Sequence, residues 1–318
     1  MEDDPNLGHG ESNELEVKSN MVKETREERI RRIIGMTKEA LAMTGEASAK
    51  HYGTVDLGVD LYPDYYEMNA KSGWGFFKGK TRHLDPMTRQ VIGSVVLAFR
   101  NRGGCYHHAK KALELGATME QLLEAYAVAS IPGGRPTAKA GLEALERIAK
   151  EQPELMAARR SIAPIPERKE IKEVIEPETR EERVSRILRK IKDDGGVVDE
   201  ALAFGVGLDP DYFEAYSQLA WGFFRVEHRH WDPVRREMFM LVIMAFRGMR
   251  DEVYLHAKKA LQLGATMEQL LEAFETAVIP GGSLILTEGL YALKRIHDEQ
   301  QAEGKKKGFA KERDSTPL

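Results

Sequence analysis

The chain has 318 residues, a formal net charge of −4 at pH 7 and one cysteine. This length can hold two domains of ordinary size. Lysines and arginines are spread among acidic residues, which argues against a nucleic-acid partner because phosphate binding needs a concentrated basic face. No apolar run approaches the ~20 residues of a membrane helix, and one cysteine cannot form an internal disulfide. We therefore expect a cytoplasmic protein without a membrane partner.

The elements predicted first along the chain are all helices. One apolar stripe at helical spacing predicts the first helix and consists of Ile30, Ile33, Ile34 and Leu41. Asp85-Pro86 begins a strongly apolar helix, because aspartate can cap the free first-turn amides and proline fits the first helical position. The next helix contains His108 and ends at Gly116, a residue type suited to the left-handed turn after a helix.

Two further helices complete this unit. Thr118-x-x-Gln121 is a capping box that begins one of them, and that helix is predicted to stop at the Ile-Pro-Gly-Gly segment of 131–134. The last helix carries apolar residues at helical spacing. The chain shows no sustained alternation of period two, so we predict no strands.

The same pattern then returns in the second half of the chain. Residues 115–125 read LGATMEQLLEA, and residues 263–273 have the identical sequence. A repeat of this length is too long for a solenoid, whose units span about 20–50 residues, so it indicates a duplicated domain. We predict, in chain order, a disordered acidic tail (1–22), a first helical domain (23–158), a linker (159–176), a second helical domain (177–301) and a disordered tail (302–318).

The repeated motif resembles the carboxymuconolactone decarboxylase family, which includes the alkylhydroperoxidase D-like proteins. The resemblance rests on Leu84-Asp85-Pro86-x-Thr88-Arg89, a histidine after the apolar helix, Gly-Ala-Thr beginning eight residues later, and the Gly-Gly break. It covers about 62–148 and 209–297. It implies two tandem all-α domains of this family and a homo-oligomer, either a trimer of tandem chains that forms a pseudo-hexamer or a dimer.

The resemblance implies that His108 and His256 are the proton-transferring histidines of the two copies. Histidine suits this role because its unperturbed pKa of about 6.5 is near working pH. Glu252 lies one helical turn before His256 and could orient its imidazole. Glu237 matches the spacing of the glutamate in the alkylhydroperoxidase D-type motif, and in an apolar helix we expect its pKa to be raised. Alternatively, the histidines pack or cap helices and the acids are solvated.

The first copy lacks these acids, because Gln90 and Gly104 occupy their positions. Cys105 lies three residues before His108, so the two could meet on one helix face and His108 could lower the pKa of the thiol. The peroxidase branch has a Cys-x-x-Cys pair, which this chain lacks, and a peroxidatic thiol needs a resolving thiol. Dithiol peroxidase activity is therefore not expected, and Cys105 could also be a plain buried residue.

Six further residues are candidate substrate contacts: Arg82, His83, Arg229, His230, Trp74 and Trp221. The resemblance suggests that an arginine near this place binds a substrate carboxylate, for which its paired N–H groups are suited. The same arginines could instead pair with acids across an oligomer interface, and the tryptophans could pack in the core. The histidines have no matched third ligand and the chain has no glycine-rich phosphate loop, so we predict neither a metal nor a nucleotide cofactor.

These residues favour cofactor-free decarboxylation or proton transfer on a small carboxylated, lactone-like metabolite, with a His/Glu acid-base pair in the second copy. Two alternatives remain open. One is a single-thiol peroxide or redox protein that uses Cys105 and His108. The other is a non-catalytic, oligomeric ligand-binding protein in which both histidines are structural.

Overall fold

The computed structural model describes residues 24–44, 49–73, 83–160, 178–194, 196, 198–220 and 230–314. The regular elements within these ranges are all helices, which confirms the all-α prediction. None of the helices in the described ranges is long and apolar enough to cross a lipid bilayer. The predicted acidic tail and nearly all of the predicted linker lie outside the described residues.

The helices of the first copy are α1 (Arg26–Thr44), α2 (Ala49–Leu61), α3 (Pro63–Met68) with a π-helical turn (Asn69–Gly73), α4 (Pro86–Phe99), α5 (Gly104–Glu114), α6 (Met119–Gly133), α7 (Arg135–Glu151) and α8 (Pro153–Ala158). Those of the second copy are α9 (Arg180–Asp193), α10 (Glu200–Leu208), α11 (Pro210–Ala220), α12 (Pro233–Phe246), α13 (Arg250–Gln262), α14 (Met267–Gly281) and α15 (Ser283–Asp314).

The start signals act as predicted in both copies. The Asp85 side chain accepts a hydrogen bond from the backbone N–H of Thr88 at the start of α4. The Asp232 side chain accepts the equivalent bond from the backbone N–H of Arg235 at the start of α12. Thr118 and Thr266 each form a complete capping box with the glutamine three residues later. These bonds satisfy first-turn N–H groups that would otherwise lack partners.

Helices α6 and α14 end within the Ile-Pro-Gly-Gly segments, as the sequence predicts, whereas the end of α15 differs from the prediction. Helices α6 and α14 include the Pro-Gly pair and end at Gly133 and Gly281, after which Gly134 and Gly282 have φ values of 80° and 99° that glycine tolerates best. Helix α15 continues to Asp314, beyond residue 301 where the sequence places the end of the second domain. Residues 302–314 contain alanine, glutamate, lysine and arginine, which all favour helix.

The two copies share one apolar core. Helix α4 packs against α14, α12 packs against α6, and α4 also contacts α12. One continuous cluster of buried side chains extends through both copies, from Leu84 to Ile296. Helices α4 and α12 are buried on nearly all sides, so each needs partners beyond its own copy. The duplication therefore produces one body built from two equivalent halves.

Buried carboxylates tie the two halves together reciprocally. Glu272 of α14 accepts hydrogen bonds from the backbone N–H groups of His83 (2.6 Å) and Leu84 (3.0 Å), just before α4. Its other oxygen lies 3.6 Å from the Arg89 guanidinium, and both side chains are 1% exposed. Glu124 of α6 accepts the equivalent bond from the backbone N–H of His230 at 2.6 Å, just before α12. Each half thus holds the start of the central helix of the other.

Helices α1–α3 and α9–α11 form two smaller units with separate apolar clusters. In the first unit, Glu67 accepts hydrogen bonds from Arg29 and Arg32, and Glu214 does so from Arg183 and Arg186 in the second. Both units expose large apolar side chains at matching positions. In chain order, these are Leu57, Leu61 and Tyr65 in the first unit and Phe204, Leu208 and Tyr212 in the second.

We predict that Glu272→Ala lowers the free energy of unfolding by about 3–5 kcal/mol, because it leaves Arg89 buried without this carboxylate. Urea denaturation monitored by circular dichroism measures the change. Glu146→Ala is the matched control, because Glu146 pairs with Lys150 on an exposed surface, where such pairs contribute little to stability. Equal losses in the two variants would contradict a stabilising role for the contact between the halves.

Candidate functional site

The candidate site of the second copy is built on the antiparallel pair α12 and α13. Nδ1 of His256 lies 2.6 Å from Oε2 of Glu237, and Nζ of Lys259 lies 3.0 Å from its Oε1. Glu237 is 1% exposed, whereas 26% of the His256 side chain is exposed. A buried carboxylate is therefore held between an imidazole and an ammonium group, and the imidazole itself reaches the surface.

The sequence dictates this placement of Glu237. Helix α12 starts at the Asp232 cap, and Glu237 is followed by an unbroken run of buried apolar residues. An acid among them must find charged or hydrogen-bonding partners, because an isolated buried carboxylate is very costly. His256 and Lys259 lie three residues apart on α13, on one helix face, and supply both partners.

The electrostatics of Glu237 differ from the expectation. Burial raises the pKa of this carboxyl, but the hydrogen bond and positive charge of His256 together with Lys259 outweigh burial and place the pKa below its usual value. The expected raised pKa is therefore wrong, because the sequence did not reveal two cationic partners. Glu237 is an anion at neutral pH, so it accepts hydrogen bonds and does not deliver a proton.

The first copy repeats the geometry without the charge. Nδ1 of His108 lies 2.7 Å from the amide oxygen of Gln90, and His108 is only 5% exposed. The imidazole also packs closely on α4, because a Cβ added at Gly93 would lie 2.8 Å from its Nδ1. Burial, followed by the charge of His107, lowers the pKa of His108 to about 4. This imidazole is neutral at pH 7.

Glu252 does not perform the orienting role that its spacing suggested. Glu252 is exposed, and among the described residues Glu237 is the carboxylate that hydrogen-bonds to His256. Spacing along one helix placed Glu252 a turn from His256, but the partner comes from the neighbouring helix. Glu252 instead contributes negative charge to the first turn of α13.

Cys105 is buried and contacts a set of hydroxyl groups. Its sulfur lies 3.5 Å from Oγ of Ser94 and 3.6 Å from the hydroxyl of Tyr126, and those two hydroxyls are 2.7 Å apart. Burial raises the pKa of the thiol and outweighs the opposing effect of its hydrogen bonds with these hydroxyls. The expectation that His108 lowers the pKa of Cys105 is therefore wrong. The thiol faces α4 and α6, and its partners are the two hydroxyls.

The remaining candidate residues divide into two groups. His83 and His230 lie at the junction between the halves, where their backbone N–H groups bind Glu272 and Glu124. No described contact joins either of them to His108 or His256. The other four, Arg82, Arg229, Trp74 and Trp221, lie outside the described residues.

Lys259 is the site residue that sequence reasoning missed. It belongs to the His-Ala-Lys-Lys segment, which occurs in both copies, and its position three residues after His256 was the available signal. No group of three potential metal-ligating side chains occurs within the described residues. The arrangement of Glu237, His256 and Lys259 therefore joins one buried carboxylate to an imidazole and an ammonium group.

We predict that His108 makes the protein less stable in acid. The folded pKa of about 4 is below the unfolded value of about 6.5, so the unfolded state binds more protons between these limits and stability falls as pH is lowered through this window. The full loss is about 3 kcal/mol. Urea denaturation between pH 4.5 and 7 should show a shallower pH dependence in His108→Gln, which keeps a polar group opposite Gln90. Identical slopes would contradict a neutral buried His108.

Comparison with known proteins places these features in a family. A crystal structure of a candidate gamma-carboxymuconolactone decarboxylase subunit from Burkholderia xenovorans has a TM-score of 0.53 and 24% identity, over 86% of this chain and 98% of that chain. It supports the fold alone. An uncharacterized protein of Methanocaldococcus jannaschii is 30% identical over 99 residues, which are 31% of this chain and 92% of the relative.

The conserved pattern of the carboxymuconolactone decarboxylase family matches residues 63–147 and again residues 210–294. The two matches together cover slightly more than half of the chain, and each lies within one of the two helical halves described above. The chain therefore belongs to the carboxymuconolactone decarboxylase family and contains two tandem copies of its domain.

Proposed function

We propose that the second half catalyses cofactor-free decarboxylation or proton transfer on a small carboxylated, lactone-like metabolite, with His256 as the general acid and base. The observation that carries the proposal is the 2.6 Å contact between Nδ1 of His256 and the buried carboxylate of Glu237. Membership of the carboxymuconolactone decarboxylase family supports the reaction type.

In this proposal the two ring nitrogens of His256 have separate tasks. The Glu237 carboxylate can only accept, so Nδ1 carries a proton and donates it in the hydrogen bond. Nε2 is then the nitrogen that gives or takes a proton at the substrate. The anionic Glu237 stabilises the doubly protonated imidazolium, and Lys259 keeps the carboxylate charged.

The proposed reaction balances without a cofactor. Cleavage of the bond between the substrate and its carboxylate releases carbon dioxide and leaves the electron pair on the substrate as an extended enolate. His256 donates the Nε2 proton to the carbon of this enolate and becomes neutral, and a proton from water restores it. General acid catalysis of this kind contributes about 10²–10⁴-fold in rate. Arg229 and His230 are proposed to bind the carboxylate or the developing negative charge.

The first half is proposed to play a supporting part. His108 is almost fully buried and neutral at pH 7, and its partner is the uncharged Gln90 amide. It therefore lacks the carboxylate that would stabilise an imidazolium. The thiol alternative gains no support, because Cys105 is buried with a raised pKa, and the thiolate is the reactive form.

We predict that Glu237→Gln, which copies the pairing found in the first half, lowers kcat about 10–100-fold while the protein stays folded. The variant loses a charge-assisted hydrogen bond worth about 1.5–3 kcal/mol in the protonated state. The assay is carbon dioxide release from a panel of carboxylated unsaturated lactones, with deuterium incorporation into the product in D₂O followed by NMR. His256→Ala should lose about 10²–10⁴-fold.

The matched control is His108→Ala in the first half, which should keep most of the activity. If no member of the panel loses carbon dioxide or exchanges deuterium, the proposed reaction is wrong. If His108→Ala abolishes turnover and His256→Ala does not, the chemistry belongs to the first half and the assignment of His256 is wrong.

We also propose that the chain forms a homo-oligomer, as a trimer of tandem chains or a dimer. Large apolar side chains are exposed at matching positions of α2–α3 and α10–α11, including Leu61 and Leu208, which are 73% and 64% exposed. Repeated apolar surfaces of this kind mark contacts between proteins. Light scattering coupled to size exclusion should give two or three times the 35.8 kDa chain mass. A monomer at micromolar concentration would contradict self-association.

A further inference from the structure

The two halves differ in how a pair of arginines is neutralised beside the α5 and α13 helices. In the second half, Nε and Nη2 of Arg250 lie 2.8 Å and 2.9 Å from the two oxygens of Glu288. The Glu288 side chain is only 7% exposed, and the guanidinium also lies 4.1 Å from the centroid of the Tyr291 ring. This paired geometry is the strong form of an arginine–carboxylate contact.

A second arginine lies on α15 in the same part of this half. Nη1 of Arg295 lies 3.2 Å from Oδ1 of Asp251, which belongs to the first turn of α13. Its guanidinium stacks 3.7 Å from the centroid of the Tyr254 ring. Each arginine of the second half thus has an acid supplied by the chain, one from α15 and one from α13.

The first half keeps both arginines and lacks both acids. Arg102 and Arg147 occupy the equivalent positions, whereas Ala140 replaces the acid of α15 and Gly103 replaces the acid of α13. No carboxylate among the described residues pairs with Arg102. Arg147 pairs with Glu151, whose carboxylate lies 2.8 Å from Nε of the arginine. This pair corresponds to Arg295 and Glu299 in the second half, so it is common to both halves.

A pocket of about 180 Å³ occupies the place where the acids are missing. Arg102 and Arg147 form part of its wall, together with Gly103, Ala140 and the ring of Tyr106. The substitution of small residues for acids therefore leaves a hollow, and the positive groups that the acids neutralised in the other half remain around it. A small anion can replace both the lost volume and the lost charge.

The surroundings reinforce the positive character of this pocket. The first turn of α5 contains no acid, whereas the first turn of α13 contains two, and neither helix start is capped by a side chain. A helix N-terminus of this kind favours a nearby negative charge. The acid of the pocket wall is Glu143, and its carboxylate forms an ion pair with Lys139 one turn away.

We propose that this pocket binds a small carboxylate, of the size of acetate to succinate, in a two-point contact with Arg102 that reproduces the contact of Arg250 with Glu288. Arg147 and the N-terminus of α5 supply further positive charge. The site belongs to the first half and does not involve His256, so it is distinct from the catalytic group proposed above and would exist whether or not that group is active.

Isothermal titration calorimetry with succinate, at constant ionic strength maintained with chloride, tests the proposal on the full chain. The wild type should have one saturable site per chain that depends on Arg102. Arg102→Gln should weaken the affinity at least about tenfold, because it removes a charged two-point contact. Ala140→Glu should abolish binding, because the new side chain can pair with Arg102 as Glu288 pairs with Arg250. Ala140→Gln is its control of similar size without the charge.

The second half provides an independent test. Glu288→Ala removes the acid that neutralises Arg250 and should create a second succinate site per chain, and the melting temperature of this variant should rise with succinate more than that of the wild type. Retention of wild-type affinity in Arg102→Gln, or the absence of saturable binding in both the wild type and Glu288→Ala, would overturn the proposal. Circular dichroism of each variant distinguishes loss of the site from loss of the fold.

Discussion

The structure depends on an exchange of buried carboxylates between its two halves. Glu272 binds the backbone just before α4, and Glu124 binds the backbone just before α12. A buried carboxylate is tolerated only where charged or hydrogen-bonding groups surround it, so each contact restricts where the partner helix can begin. The helices that carry Gln90 and Glu237 are therefore positioned by the opposite half, and the fused chain is the unit that forms either site.

The two histidines differ in charge environment because one has a glutamine as its partner and the other has a glutamate in the same position. Both imidazoles place Nδ1 within 2.7 Å of an oxygen on the preceding central helix. In the second half that oxygen belongs to a carboxylate with two cationic neighbours, and in the first half it belongs to a neutral amide. Since the amide cannot compensate a buried positive charge, burial determines the state of His108, whereas the imidazole of His256 faces the charged carboxylate of Glu237.

Local sequence signals predicted the scaffold better than the site. Aspartate caps, capping boxes and the glycines after helices depend on neighbours within a few residues, and the structure confirms them. Contacts within the site depend on which faces of neighbouring helices meet. Glu252 was placed correctly one turn from His256, yet the imidazole turns to Glu237 on α12. Cys105, three residues before His108, faces Ser94 and Tyr126 instead. Spacing along one helix does not show whether a side chain contacts a residue of its own helix or one of a neighbouring helix.

The two halves differ in the acids that pair with their arginines and histidines. The second half satisfies its own arginines and its histidine with carboxylates of the chain, namely Glu237, Asp251 and Glu288. The first half has replaced the same three positions with an amide and two small residues, while the basic partners stay in place. Loss of an internal acid next to a retained arginine leaves both a volume and an uncompensated charge, which are the two properties that a site for a small anion requires. The shared core lets the two halves differ at these positions, because the helices of each half are also held by contacts with the other half.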